Sequence, residues 1–442
     1  MNKKTTIDGP IYDARQLGTP KMLLLGLQHM FAMFGATVLV PALTGLDVAT
    51  ALLFAGIGTL LFHLLTGGKV PAFLGSSFAF IGGYNAIRTI GAAADGSPIY
   101  DNALLPYACF GVLIAGLMYV ILSVLFKTFG VKKVMRFFPP IVTGPIIILI
   151  GLNLSGTAIG NASTNWWLAL VAIAVIIVAN IWGKGMIKII PILLGVVVSY
   201  VVALITGQVD FAAMREADIV GLQQFVIAKF DITSILVMAP IAIAAMMEHI
   251  GDISAISSTT GKNFIEDPGL HRTLLGDGLA TAFAGMFGGP ANTTYGENTG
   301  VLALSKVYDP RVIRLAALYA IILSFSPKFD ALVNSIPTAI VGGVSFVLYG
   351  MISAVGVRNV VENRVDLTKS RNLIIAAVIF VSGLGFSSTG GITFTVGSAD
   401  ITLTGLAIAA LAGVLLNAIL PGNDYEFGTS VEGDKSADLG SY

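Results

Sequence analysis

The sequence predicts an all-α polytopic membrane protein of fourteen transmembrane segments, arranged as two inverted seven-segment repeats. Three observations predict it: an apolar composition, a one-sided distribution of lysine and arginine, and two interrupted apolar segments at matching positions. Of 442 residues, 55% are hydrophobic and 11% are charged, where a soluble domain carries roughly a quarter charged residues. Mean hydropathy is +0.86. A spanning helix needs ~20 mainly apolar residues, and such runs fill almost the whole chain.

The elements follow in order. Residues 1–21 are polar, lack the short apolar core of a cleavable signal peptide, and read as a cytoplasmic tail. The first repeat covers 22–206, with clear spans near 22–41, 49–66, 105–126, 138–156, 166–183 and 189–206. Residues 207–232 read as an extracellular loop without an assigned role. The second repeat covers 233–420, with spans near 233–251, 273–288, 312–327, 335–353, 372–388 and 402–420. Residues 421–442 are polar and acidic, a composition expected to be disordered, and read as a second cytoplasmic tail. Two further apolar segments are short and rich in small residues, 71–87 and 290–306.

Charge bias tests whether those two segments cross. If they do, and the N-terminus is inside, the inner loops hold sixteen Lys and Arg between Lys69 and Arg371. The outer loops hold only Arg88, Arg215, Lys229 and Lys328. That is the positive-inside pattern. Leaving out either short segment inverts every later loop and destroys it.

The halves also echo each other. Gly67-Gly68-Lys69-Val70-Pro71-Ala72 precedes the first short segment and Gly288-Gly289-Pro290-Ala291 the second. Gly144 and Gly151 match Gly343 and Gly350 at the same seven-residue step. Chance matches compete, because glycine is common (51 residues), but two in the same order favour duplication. An odd number of spans per half makes the repeats inverted, and interrupted helices at corresponding positions mark the midplane site of secondary transporters.

Composition and motifs exclude other classes. Net charge is +0, so nothing points to nucleic acid. Cys109, the single cysteine, reads as a small packed residue. Nucleotide-binding, metal-ligand and nucleophile-elbow patterns are absent. The chain therefore reads as a transporter, not an enzyme, with no cofactor and no metal. Its energy comes from an ion gradient, protons being the simplest choice, or else it is a passive channel.

Four acidic residues carry the chemistry. Glu248 stands in an apolar span, where an ionised group costs about 2.5–3.5 kcal/mol on insertion scales and is functional by default. The alternative is a snorkelling residue near a helix end. Asp252 lies one turn further on the same face, so both can line one cavity, while His249 points elsewhere as a packing or interfacial residue. Glu297 stands in PANTTYGENTG, where Pro and Gly forbid a continuous helix. Non-helical backbone at membrane depth survives only when buried or lining a wet cavity. The competing reading is an outer loop, which the charge bias opposes. A carboxyl group held out of water can also take up a proton. Asp277 is either a helix-start residue or the partner of an inward polar group. In the first short segment, Ser76 and Ser77 read as packing residues and Phe78 as core or a ring stacked on ligand. Gln28-His29 is a polar pair that can hydrogen-bond to the broken segments.

These motifs resemble the nucleobase/ascorbate transporter family over nearly all of residues 20–420, and bacterial uracil permeases in particular. The matching blocks are 27–41 (LQHMFAMFGATVLVP), 71–81 (PAFLGSSFAFI), EHIGD at 248–252, DPGLHR at 267–272 and NTTYGENTGVLALSK at 292–306. The family signature reads Glu297-Asn298-Thr299-Gly300, then Ser305-Lys306, with Ser in place of the usual Thr. The resemblance implies a core domain (22–127 with 233–327) and a gate domain (136–206 with 335–420). Each short segment is then broken by a brief strand, and the two strands pair antiparallel beside the substrate. It implies that Glu248 and Glu297 hold the base, with main-chain groups at Phe78 and Gly296 and with Tyr295 close by. Tyr349 closes the site from the gate side, His29 braces the first broken segment, and Ser77, Asn298 and Asp277 are supporting residues of the site. Uracil then enters with a proton on Glu248, and the protein pairs as a homodimer through its gates, in the cytoplasmic membrane.

One departure bears on specificity. Asp252 stands where close uracil carriers often have His, and Asp is usual there in purine-type members; Glu297 pulls the other way, since those members have Gln. Asp252 takes the proton-relay part or Glu248 acts alone. Xanthine is the runner-up substrate, and an anion transporter or channel sharing the fold is the alternative of another class.

Overall fold

The computed structural model describes residues 9–92, 98–223, 225–396, 399–423 and 425; the tail expected to be disordered therefore lies almost wholly outside the described residues. Helices start where the sequence supplies caps. Asp47 accepts from the Thr50 amide (2.6 Å) and Asp231 from the Ser234 amide (2.7 Å), each satisfying an amide that a helix start leaves without partner. Pro106, Pro140, Pro191 and Pro310 occupy first-turn positions, where the missing N–H costs nothing.

The principal helices of the first half are α1 (Thr19–Thr44), α2 (Val48–Leu65), α3 (Ile81–Arg88), α4 (Leu105–Phe129), α5 (Pro140–Asn153), α6 (Ser155–Ser163), α7 (Trp166–Ile181) and α8 (Pro191–Ile205). Those of the second are α9 (Ile232–Thr260), α10 (Leu270–Met286), α11 (Gly296–Ser305), α12 (Pro310–Ser324), α13 (Pro327–Asn334), α14 (Thr338–Glu362), α15 (Ser370–Ser388) and α16 (Gly405–Ile419). Strand β1 (Leu74–Ser76) pairs with β4 (Asn292–Thr294). Two local hairpins pair β2 (Thr89–Ala92) with β3 (Pro98–Tyr100) and β5 (Ile392–Val396) with β6 (Ala399–Leu403).

Seven helices among the described residues are long and apolar enough to cross a membrane, including Thr19–Thr44, Ile232–Thr260 and Thr338–Glu362. An eighth counts if α12 and α13, bent by 89°, form one span; α7, α8 and α16 are shorter apolar helices. This is a multi-pass membrane protein. Several expected boundaries move, most of them by three residues or fewer, and the span expected to end at 353 runs on nine residues to Glu362. The span ending at 251 runs on to Thr260, because Asp252 lies inside the helix rather than at its end. The span expected over 312–327 stops at Ser324.

Helix pairings come in matched sets. α1 packs on α12 as α9 packs on α4, and α2 packs on α12 as α10 packs on α4. In the other cluster α7 packs on α8 and α14, while α15 packs on α16 and α5. Between the clusters, α1 touches α8 and α9 touches α16. Small residues permit the closest approaches, as in membrane helix pairs generally. A Cβ on Gly116 would collide with the Ala282 backbone, and one on Gly278 with Tyr119. Of the four glycines in the seven-residue match, Gly144 and Gly151 face α14 and Gly343 faces Ala169, whereas Gly350 faces open space. That last glycine has no packing reason.

The N-terminal segment is docked, not free. Ile11 forms a parallel bridge with Val307, and Ile11 and Ala14 are buried with Val307 and Val312. Apolar residues spaced along an otherwise polar stretch were too few to register as an element.

Candidate functional site

β1 and β4 cross at the centre of the first cluster with Gly75 opposite Thr293. Their surroundings are related two-fold. Thr59 Oγ1 of α2 accepts from the Leu74 amide (2.9 Å) and donates to its carbonyl (3.2 Å). Thr281 Oγ1 of α10 does the same to Asn292 (3.2 and 3.0 Å). Beyond each strand, the Ser77 amide donates to the Ala291 carbonyl (2.8 Å) and the Tyr295 amide to the Phe73 carbonyl (2.9 Å). These bonds satisfy backbone groups that a broken helix leaves open in the membrane. Short helical segments then begin at Phe78 and Gly296, so two sets of first-turn amides face the crossing from opposite directions.

Glu248 and Asp252 project from α9, which packs on α11 and β4. Glu297 lies in the first turn of α11. The carboxylates of Glu297 and Asp277 both act electrostatically on Glu248, and Glu248 and Glu297 both act on Asp252, so the four share one neighbourhood. A Cβ on Gly296 would lie 3.6 Å from Asp252 Oδ1, which puts Asp252 beside the start of α11. Glu248 Oε2 is buried without a hydrogen-bond partner among the described residues. A buried acceptor without a partner is costly. Among the described residues, no group of three His, Cys, Asp or Glu could hold a metal ion.

Other expected residues fall into place differently. Phe78 meets Tyr349 of α14 edge-on, with ring centroids 5.8 Å apart at 75°; this contact joins the two helix clusters. Tyr295 is buried, and its hydroxyl donates to the Ser76 carbonyl (3.0 Å) and accepts from Thr37 (3.2 Å). It braces the strands. His29 accepts from Asn298 Nδ2 at its carbonyl and faces it with Nδ1, both at 3.1 Å. Its hydrogen-bond partner thus lies on the second broken segment, not the first. Ser77 Oγ is buried without a partner among the described residues.

Asp277 lies well inside α10 and is fully buried, which settles its two readings: it pairs with His249, Nδ1 to Oδ2 at 2.6 Å. The same nitrogen lies 2.9 Å from Thr294 Oγ1 on β4. His249 therefore belongs to the site's frame and not to general packing. No sequence signal links His249 to Asp277 across two helices. Thr37, Thr59 and Thr281 were also missed, since isolated threonines in apolar helices look like packing residues. Gly75 is a direct test of this frame. A Cβ there would sit 2.5 Å from the Tyr295 ring and 2.8 Å from Thr37 Oγ1. Gly75→Ala is expected to lower stability by about 1–3 kcal/mol through overpacking, read as a drop in melting temperature in detergent; an unchanged melting point would show that the strands spread freely.

A broken-strand crossing flanked by acidic side chains suits a permease, and the comparisons agree. The family model described as "Permease family" (Xan_ur_permease) matches residues 20–391. The chain belongs to this permease family. It is 42% identical to the uracil permease of Bacillus caldolyticus, over 93% of this chain and 95% of that one. It is 39% identical to the uracil permease of Bacillus subtilis (92% and 94%) and 38% to that of Escherichia coli K12 (89% and 90%). The permease is therefore a transport protein, as its resemblance to nucleobase transporters implied. Among solved structures it is similar to the transmembrane domain of the cyanobacterial bicarbonate transporter BicA. The TM-score there is 0.54 at 16% identity, over 80% of this chain and 97% of that one. Murine Slc26a9, an anion transporter in the inward-facing state, gives a TM-score of 0.62 at 13% identity (94% and 73%). At such identities these two establish the fold.

Proposed function

We propose that the permease carries uracil with a proton across the cytoplasmic membrane by alternating access, both termini being cytoplasmic. The observation that carries this reading is the unpartnered Glu248 oxygen, enclosed beside Glu297 at the start of α11. Uracil is a planar ring with adjacent N–H and C=O groups. Carboxylates accept from ring N–H groups, and the first-turn amides near Phe78 and Gly296 donate to ring carbonyls. Glu248 carries the proton, with Asp252 as its neighbour, and Glu297 reads the base. Ser77, Asn298, His29 and Asp277 support these groups, and Tyr349 approaches Phe78 from the opposite cluster.

The matched pairings support fourteen spans in two inverted repeats. α1–α4 and α9–α12 would form the core, and α5–α8 with α14–α16 the gate, through which two copies would pair. The anion reading rests on fold similarity alone, and the charged side chains acting on Glu248 are carboxylates. Xanthine stays as a second reading because Asp252, the purine-type residue, lies against Gly296.

Labelled uracil supplied to cells lacking their own uracil permease tests the proposal. Accumulation that xanthine does not inhibit and an uncoupler abolishes is expected. Accumulation of xanthine alone would overturn the substrate, and uptake that needs sodium but survives the uncoupler would overturn proton coupling.

A further inference from the structure

We infer that residues 11–14 form a strap that positions α9 and α11 relative to each other, with Tyr12 as its main positioning residue. The inference rests on the reading of Glu248, on α9, and Glu297, on α11, as the base-binding pair.

One short stretch of chain grips the ends of both elements. At the end of α11, the Ile11 amide donates to the Lys306 carbonyl (2.8 Å) and the Tyr308 amide to the Ile11 carbonyl (2.7 Å). Lys306 has φ 54°, a left-handed cap that turns the chain toward the strap. At the end of α9, Tyr12 Oη donates to the Thr260 carbonyl (2.7 Å), one of the last-turn carbonyls a helix leaves without an internal partner. The Tyr12 ring meets Tyr308 edge-on at 5.5 Å, and Lys262 Nζ lies 4.4 Å from its centroid. The Ala14 amide donates to Asp309 Oδ2 (2.7 Å), and Arg311 pairs with Asp13 (2.9 Å). A hydrogen bond from Arg15, with Arg311 adding charge, holds the Asp13 carboxyl at about 2.

Glu297 is nine residues from Lys306 and Glu248 twelve from Thr260, about 13 and 18 Å along their helices. A regular helix transmits a shift at its end to its side chains. Tyr12 therefore sets how far apart the two carboxylates stand.

Tyr12→Phe, which keeps the ring, and Ile11→Asp, which breaks the buried cluster, test this in the full chain. The readouts are uracil affinity, melting temperature, and amide hydrogen exchange over 254–262 and 296–306 without ligand. Tyr12→Phe is expected to weaken affinity about five-fold, the size of one net hydrogen bond, and to speed exchange in both windows; Ile11→Asp should exceed it. Unchanged affinity with faster exchange or a lower melting point would mean a merely structural contact and overturn the inference. Unchanged exchange overturns it outright. If the wild-type protein fails to bind uracil, the functional reading falls, and the exchange data still decide whether the strap holds the two helices. If Ile11→Asp does not fold, Tyr12→Phe decides.

Discussion

Glu297→Gln is expected to weaken uracil binding about ten- to hundredfold, the loss of one charged hydrogen bond of about 1.5–3 kcal/mol. Glutamine fills nearly the same volume, but its amide presents one acceptor and one donor where the carboxylate presents only acceptors. A ring N–H that met an oxygen would meet an N–H on one side. Folding should be unaffected, since Glu297 lies in the first turn of α11 and is only partly buried. Glu248→Gln separates the two proposed roles. It should leave binding measurable yet abolish uncoupler-sensitive accumulation, because an amide cannot carry the proton. Isothermal binding in detergent and uptake in cells distinguish the pair. Equal affinity of wild type and Glu297→Gln would remove Glu297 from the site, and accumulation by Glu248→Gln would pass the proton to Asp252.

Much of this architecture was readable because membranes simplify sequence. Apolar runs between charge clusters marked most helices, and Pro and Gly around 71–87 and 290–306 marked where backbone leaves the helix. The signature around Glu297 points to the permease family by itself. What could not be read were polar contacts between distant elements. His249 looked like filler because its partner, Asp277, lies in another helix. The resemblance points His29 at the first broken segment, whereas its hydrogen-bond partner is Asn298 on the second, because a resemblance names the residue but not its partner. Asp252 ends a predicted span because an isolated acid in a sequence looks the same at a helix end as within a helix. Residues 11–14 read as part of a tail, since two buried side chains, Ile11 and Ala14, carry no periodicity. The strand crossing was anticipated only through resemblance, for three-residue strands have no pattern of their own.

The His249–Asp277 pair should show the largest stability effect in the molecule. Both side chains have no exposed surface. Breaking a buried pair by removing one partner costs about 3–5 kcal/mol, because the other charge or dipole is left without compensation. Asp277→Ala is therefore expected to lower the melting temperature strongly and to reduce the yield of folded protein. The loss should also reach the proposed base site. His249 Nδ1 also lies 2.9 Å from Thr294 Oγ1, and Thr294 precedes Tyr295, Gly296 and Glu297 directly, so a His249 ring that shifts once Asp277 is gone loosens the start of α11. The milder Thr294→Val removes only the hydroxyl and should weaken uracil binding with a small change in melting point. His249→Phe combined with Asp277→Leu removes both polar partners and is expected to recover part of the stability lost in Asp277→Ala, but not the affinity. A double variant as unstable as Asp277→Ala would mean that packing volume, and not the pairing, sets the stability here. Unchanged affinity in Thr294→Val would mean that β4 is fixed by Thr281 and the strand bonds alone.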